Sequence, residues 1–211
     1  MRRKDPNQHQ RDPDPDAFAQ DKLVERLRMT AQNKLNANPK YCIRKMYLSD
    51  LDRVSELDPL VFGEMHWTRN IFAGELSNPN ANYYVASKLD EAGQDTGEPI
   101  GYGGAWHVVD EMHIMTLGTD PDYRRQKIAE SIIIALITDA INSGIKSISL
   151  EVRLSNEAAQ RLYERYAFKQ AGIRKNYYES DGESALILWT ENIQEEKFQQ
   201  NFQEQISKLS P

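Results

Sequence analysis

The segment from His113 to Arg153, "HIMTLGTDPDYRRQKIAESIIIALITDAINSGIKSISLEVR", constrains the fold more than any other. A strand passes through a turn at Pro121 into the most apolar helix of the chain, expected from about Arg125 to Asn142, and a second strand follows. Gly144 stands where such a helix should stop. In the second strand Ile148, Leu150 and Val152 fall on one face, which puts Ser149, Glu151 and Arg153 on the other. Further strands, "YCIRKM", "NYYVASK", "IGYGGAWHVV" and two beyond Tyr166, alternate with helical segments around "SDLDRVSEL" and "TRNIFAGEL" and from about Asn156 to Tyr166. "LDEAGQDTGE" reads as a polar loop between two of the strands, and "SDGE" as a turn before the last. Elements interleaved in this way imply an α/β (α+β) layer fold around a central mixed sheet.

At 211 residues the chain can bury one sizeable core. Residues 1–40 read as an N-terminal extension: a Gln-, Asp- and Pro-rich start with "DPDPD", expected to be disordered, then an amphipathic helix marked by Phe18, Val24, Leu27, Ala31 and Leu35. Residues 41–191 form the domain, and 192–211 repeat the amphipathic pattern with Ile193, Phe198, Phe202, Ile206 and Leu209. Those two stripes either pack on the domain or offer a surface for a partner or for self-association. The longest apolar run, "IAESIIIALI", is broken by Glu130 and Ser131 and is too short for a bilayer, and no apolar signal region opens the chain, so a cytoplasmic protein without membrane contact is expected. One cysteine, Cys42, and four unpaired histidines argue against a bound metal. A net charge of -6 argues against direct nucleic-acid binding and suits a basic peptide.

The turn into the apolar helix has a chemical reading of its own. The first amides of a helix lack internal partners and, with the helix dipole, attract an anion; Arg124 and Arg125 add charge there. Alone, the same pattern describes a solvated helix start. "YRRQKIA", however, resembles the acyl-CoA motif of the GCN5-related N-acetyltransferases (GNAT), Arg/Gln-x-x-Gly-x-Gly/Ala, with Lys127 where that motif has its first glycine. The resemblance implies the fold of that family, a twisted mixed sheet of about six to seven strands between helices. It also implies a CoA pyrophosphate held at Arg124, Arg125, Gln126, Lys127, Ile128, Ala129 and Glu130, and an acetyl-pantetheine arm met by a splayed strand at Leu117, Gly118 and Thr119. Gly118 suits a bulge in that strand. Lys127 in the first helical turn is expected to crowd the pyrophosphate.

"LEVRLSNEAAQRLYERYAF" is similar to the segment of the bacterial RimI-type enzymes, ribosomal-protein alanine N-acetyltransferases, in which a strand glutamate and a helix tyrosine serve as base and acid. Glu151 and Tyr163 match those two, and Asn156 matches a helix-start residue that touches CoA. The likeness extends through "HWTRNIFAGEL", "VVDEMHI" and "IRKNYYESDGESALIL", so that Asn176, Tyr177 and Tyr178 fall where a peptide groove is expected, and it departs at Lys127 and at Ala167, where a glycine is usual. Read without the family, Glu151 is a partner for Arg153 or part of a solvated face, Tyr163 belongs to a core stripe with Ala159, Leu162 and Tyr166, and Trp67 is a core or lip residue. The resemblance implies acetyl transfer from acetyl-CoA to a protein N-terminus, the alanine of a ribosomal protein. Two alternatives stay open: transfer to another amine (lysine, polyamine or antibiotic), and a non-catalytic binding module that lost CoA through Lys127.

Overall fold

The apolar helix that follows Pro121 lies against one face of a seven-stranded mixed sheet, where Ile132, Ile133, Ile134, Leu136 and Ile137 are fully buried. The computed structural model describes residues 15–38 and 40–209, with 15–22 as backbone only; the expected disordered start and the side chain of Phe18 in the first stripe lie outside what it describes. The helices are α1 (Pro15–Asn36), α2 (Leu51–Phe62), α3 (Arg69–Leu76), α4 (Ile128–Asn142), α5 (Glu157–Arg165) and α6 (Glu196–Ser207). The strands are β1 (Tyr41–Lys45), β2 (Ala81–Leu89), β3 (Asp95–Val108), β4 (Glu111–Thr119), β5 (Ser147–Arg153), β6 (Lys169–Arg174) and β7 (Ala185–Trp189). They order as β1-β2-β3-β4-β5-β7-β6, with β4 and β5 parallel and every other neighbouring pair antiparallel. Helix α4 is the crossover that a parallel pair requires. Among the described residues no helix is long and apolar enough to cross a membrane.

Two close approaches fix α4 on the sheet. A Cβ on Gly101 would stand 2.4 Å from Ile128 Cγ2, and one on Gly103 2.7 Å from Ile132 Cγ2, so the glycines of β3 let the helix settle directly on the backbone. On the opposite face α2 and α3 cover a smaller cluster that includes Leu51, Val54, Leu57, Phe72, Val85 and Tyr102.

The register of β3 on β4 carries a bulge. Gly104 faces Thr116 and Ala105 faces Ile114, which leaves Met115 as the extra residue. An unbroken strand sends residues three apart to opposite faces, yet Ile114 and Leu117 both pack into the core under α4. The bulge expected at Gly118 is therefore three residues earlier. Gly118 has a different role: a Cβ there would lie 2.5 Å from the ring of Tyr102, which crosses over it.

Two boundaries also differ from expectation. The expected loop "LDEAGQDTGE" is shorter, because β3 begins at Asp95, which Arg44 (2.7 Å) and Ser87 bind to the sheet edge. Helix α4 starts at Ile128 rather than near Arg125, because Arg125 and Lys127 are left-handed, with φ of 63° and 62°.

The terminal helices close the core. Helix α1 packs on α6 and α4, and Leu27, Ala31, Leu35, Ile193, Phe198, Phe202, Ile206 and Leu209 are all buried. The two stripes are thus engaged within the chain rather than left open for a partner. Phe202 is 1% exposed, stacked on Phe198 and edge-on to Tyr166. Phe202→Ala is expected to cost about 3–5 kcal/mol in a denaturant titration; a loss below about 1 kcal/mol would place α6 outside the cooperative core.

Candidate active site

The pairing of β4 with β5 ends at Ile114↔Leu150, although β4 runs on to Thr119 and β5 to Arg153. Past that point β4 stays paired to β3 and β5 to β7, so the strands part and the edges facing each other carry no ladder. Backbone groups from Met115 to Thr119 on that edge are open to a ligand. Thr119 adds a buried Oγ1 without a hydrogen-bond partner.

Glu151 stands in β5 one residue past the last rung. Its side chain is 8% exposed, with Oε1 3.0 Å from Arg174 Nη1 and Oε2 2.9 Å from His113 Nε2. The plain alternative, a bridge to Arg153, is not made; Arg153 binds Asp181 (2.8 Å) and Glu183 (2.7 Å) and lies 3.9 Å over the Tyr178 ring. Burial pushes the Tyr178 phenol up to about 12, against the opposing pull of Arg153, and the Glu151 charge also contributes to the rise. Tyr177, 42% exposed, sits edge-on to Tyr178 and beneath Arg174. Asn176 is exposed and left-handed at φ 52°. Of the three expected groove residues, Tyr178 feels the Glu151 charge and Tyr177 lies beneath Arg174, which binds Glu151; Asn176 binds Ser184 Oγ through its amide.

Tyr163 stands in α5, in the core cluster and within electrostatic reach of Tyr178. It is 6% exposed, and burial first, then Tyr178, raises its phenol well above the ordinary range, so the hydroxyl stays protonated at any physiological pH. Its position is fixed by the way the helix ends. The amide of Phe168 donates to Tyr163 O and that of Ala167 to Glu164 O, a Schellman closure, and the Phe168 ring packs 5.5 Å from that of Tyr163. Ala167 takes the left-handed position (φ 63°) that favours glycine in this closure.

The anion loop precedes α4. Arg124, Arg125 and Lys127 are exposed, and Asp120, held by Arg53 at 2.8 Å, caps the short turn before them by accepting from the Asp122 amide. Lys127 is the N-cap of α4, not part of its first turn, so the expected crowding of a pyrophosphate by a helical side chain does not apply. Glycine is favoured here because the residue has positive φ, and lysine adopts the same conformation at a cost of about 1–2 kcal/mol. The Tyr41 hydroxyl lies 3.1 Å from Gln126 O, to which it donates, and 3.0 Å from Ser131 Oγ, so β1 anchors the loop from behind. Because carbonyl and amide of one trans peptide point apart, that anchor turns the Lys127 amide away from Tyr41. The Glu130 side chain is not available to a ligand: it is buried against the Tyr166 hydroxyl (2.9 Å) and Arg165 (3.2 Å). With Ile128 and Ala129 it can offer only first-turn amides. Asn156 Oδ1 caps α5 by accepting from the Ala159 amide at 3.1 Å.

Residues 48–168 match the acetyltransferase (GNAT) family. The chain belongs to that family. Among its GNAT relatives, it is 38% identical over 151 residues to a Bacillus subtilis protein provisionally named a ribosomal protein bS18-alanine N-acetyltransferase, covering 71% of this chain and 95% of that one. The Escherichia coli (strain K12) protein named for the same activity is 32% identical over 124 residues, 58% of this chain and 78% of its own. The crystal structure of the ribosomal-protein-S18-alanine N-acetyltransferase from Escherichia coli superposes with a TM-score of 0.63 at 26% identity, covering 72% of this chain and 94% of that one.

Sequence reasoning missed four residues of this site. His113 and Arg174 come to Glu151 from other strands, and only the register reveals it; Met115 is the actual bulge; Tyr41 anchors the loop from a strand 85 residues away. A histidine in the strand before the apolar helix, "MHIMTLGT", was the available signal. Lys127→Gly is expected to raise stability by about 0.5–1 kcal/mol, whereas Lys127→Val, β-branched at positive φ, lowers it by at least about 1 kcal/mol. Equal midpoints for the three proteins in urea would refute the left-handed assignment.

Proposed function

We propose that the protein transfers acetyl from acetyl-CoA to the N-terminal α-amine of a protein, an alanine-starting ribosomal protein of the bS18 type, with Glu151 as base and Tyr163 as acid. The observation that carries this reading is the buried Glu151 carboxylate where β4 and β5 part, with the protonated Tyr163 phenol next to Tyr178, which also feels the Glu151 charge. The relatives named for that substrate support the choice of acceptor. A cytoplasmic location goes with it.

Acetyl-CoA would bring the thioester that is attacked. The residues present fit it: open backbone groups over Met115–Thr119, the unpaired Thr119 hydroxyl, and an anion loop with Arg124, Arg125 and the first amides of α4. A chain-end amine has a pKa of about 7.7–8.0, so much of it is protonated at neutral pH. Glu151 removes that proton, directly or through one water, and frees the lone pair for attack. Strand amides at Leu117–Thr119 face the charge that develops on the thioester oxygen. Tyr163, protonated before the reaction, gives its proton to the departing thiolate, and the tyrosinate takes up the second proton that the nitrogen loses as the amide forms. Tyr177, Tyr178 and Asn176 flank the entering peptide. No step uses a metal or a covalent enzyme intermediate.

Lys127 does not favour the binding-module reading, because the loop keeps its left-handed turn around it. Purified protein with acetyl-CoA and an alanine-starting peptide should yield an N-terminally acetylated product by mass spectrometry. Glu151→Gln should lower kcat by about 10²–10⁴-fold and leave acetyl-CoA affinity unchanged. Acetylation of internal lysines alone, with the N-terminus untouched, would replace this reading with transfer to another amine.

A further inference from the structure

The proton that Glu151 takes from the amine has to leave before the next turnover, and a carboxylate that is 8% exposed is poorly placed to give it to water. The structure assigns that task to His113: we propose that His113 is the proton exit of this site, receiving the proton from Glu151 and releasing it to solvent. This rests on the reading of Glu151 as the base.

The directions of the hydrogen bonds carry the argument. Ser149 has one hydroxyl proton and donates it to Glu111 Oε1 at 2.7 Å. Its oxygen is therefore the acceptor in the 2.9 Å contact with His113 Nδ1, which fixes the proton of the neutral imidazole on Nδ1. The Nε2 lone pair then faces Glu151 Oε2 at 2.9 Å. Two acceptors at that distance make a hydrogen bond only when a proton lies between them, so the 2.9 Å contact is that of a proton-bearing pair, and the relay starts when that proton has left Nε2 for water. In the transfer, the acceptor's N–H bond breaks as the Glu151 O–H bond forms, and that bond breaks in turn as Nε2–H forms. The imidazolium so created keeps Nδ1–H on Ser149 and has Glu111 behind it. His113, with a side chain 32% exposed, then returns the Nε2 proton to water, and the neutral ring is restored with its Nδ1 proton in place.

The other groups around the ring do not compete for this role. Arg174 binds the other oxygen of Glu151 and holds the carboxylate in place, but a guanidinium does not accept a proton. Across the sheet His113 pairs with Trp106, whose ring N–H donates to Glu75. His113 is accordingly a positioning and relay residue that acts through Glu151.

Glutamine at this position can still donate to Glu151 but cannot accept a proton. In weakly buffered solution His113→Gln should lower kcat by at least about tenfold with both KM values unchanged. His113→Ala should be slow as well, and added imidazole should restore its rate in a saturable way without accelerating the wild type. Wild-type kcat in His113→Gln, or a folded His113→Ala that imidazole does not accelerate, would overturn the relay while Glu151→Gln remains inactive. Full activity in Glu151→Gln would remove the base and the relay together.

Discussion

Everything particular to this site follows from the parting of β4 and β5 after Ile114 and Leu150. A parallel pair that continued to pair would saturate its own backbone and bury the space between the strands. The bulge at Met115 prevents this by turning β4 while it stays on β3. The same extra residue reverses which face each side chain takes. Leu117 therefore turns back toward α4, while His113, before the bulge, shares a face with Glu151 through its regular pairing with Ser149. The open backbone edge and the packing of Leu117 under α4 both depend on that one irregularity.

The site also holds residues in conformations they do not prefer. Arg125, Lys127 and Ala167 all have positive φ without being glycine, each at a cost of about 1–2 kcal/mol. Anchors accompany them. Tyr41 holds the loop carbonyl, Asp120 caps the turn against Arg53, and the Tyr163–Phe168 contact closes the helix end over Ala167. Strain of this kind persists where the surroundings over-determine it. Here it orients the amides before α4 and the phenol of Tyr163.

The fold was largely legible because its periodicities are strong: the apolar run of α4, the alternation of Ile148, Leu150 and Val152, and the terminal stripes all sit where their spacing places them. Glu151, Tyr163 and the "YRRQKIA" loop were legible through the family resemblance, since alternation alone gives Glu151 a face and no role. What stayed hidden depends on register or on φ. Met115 has no mark of a bulge, the start of α4 shifted because two residues turned left-handed, and the Glu130 side chain went to Tyr166 rather than to a ligand. Such features arise from contacts between segments far apart in the chain, which a local pattern does not encode.

The central claim is that the parted strands receive the acyl donor. Hydrogen exchange of backbone amides with and without acetyl-CoA tests it most directly. Protection is expected over Met115–Thr119 and over the first turn of α4, with no change in the paired segment Glu111–Ile114. Binding that leaves Met115–Thr119 unprotected would contradict it.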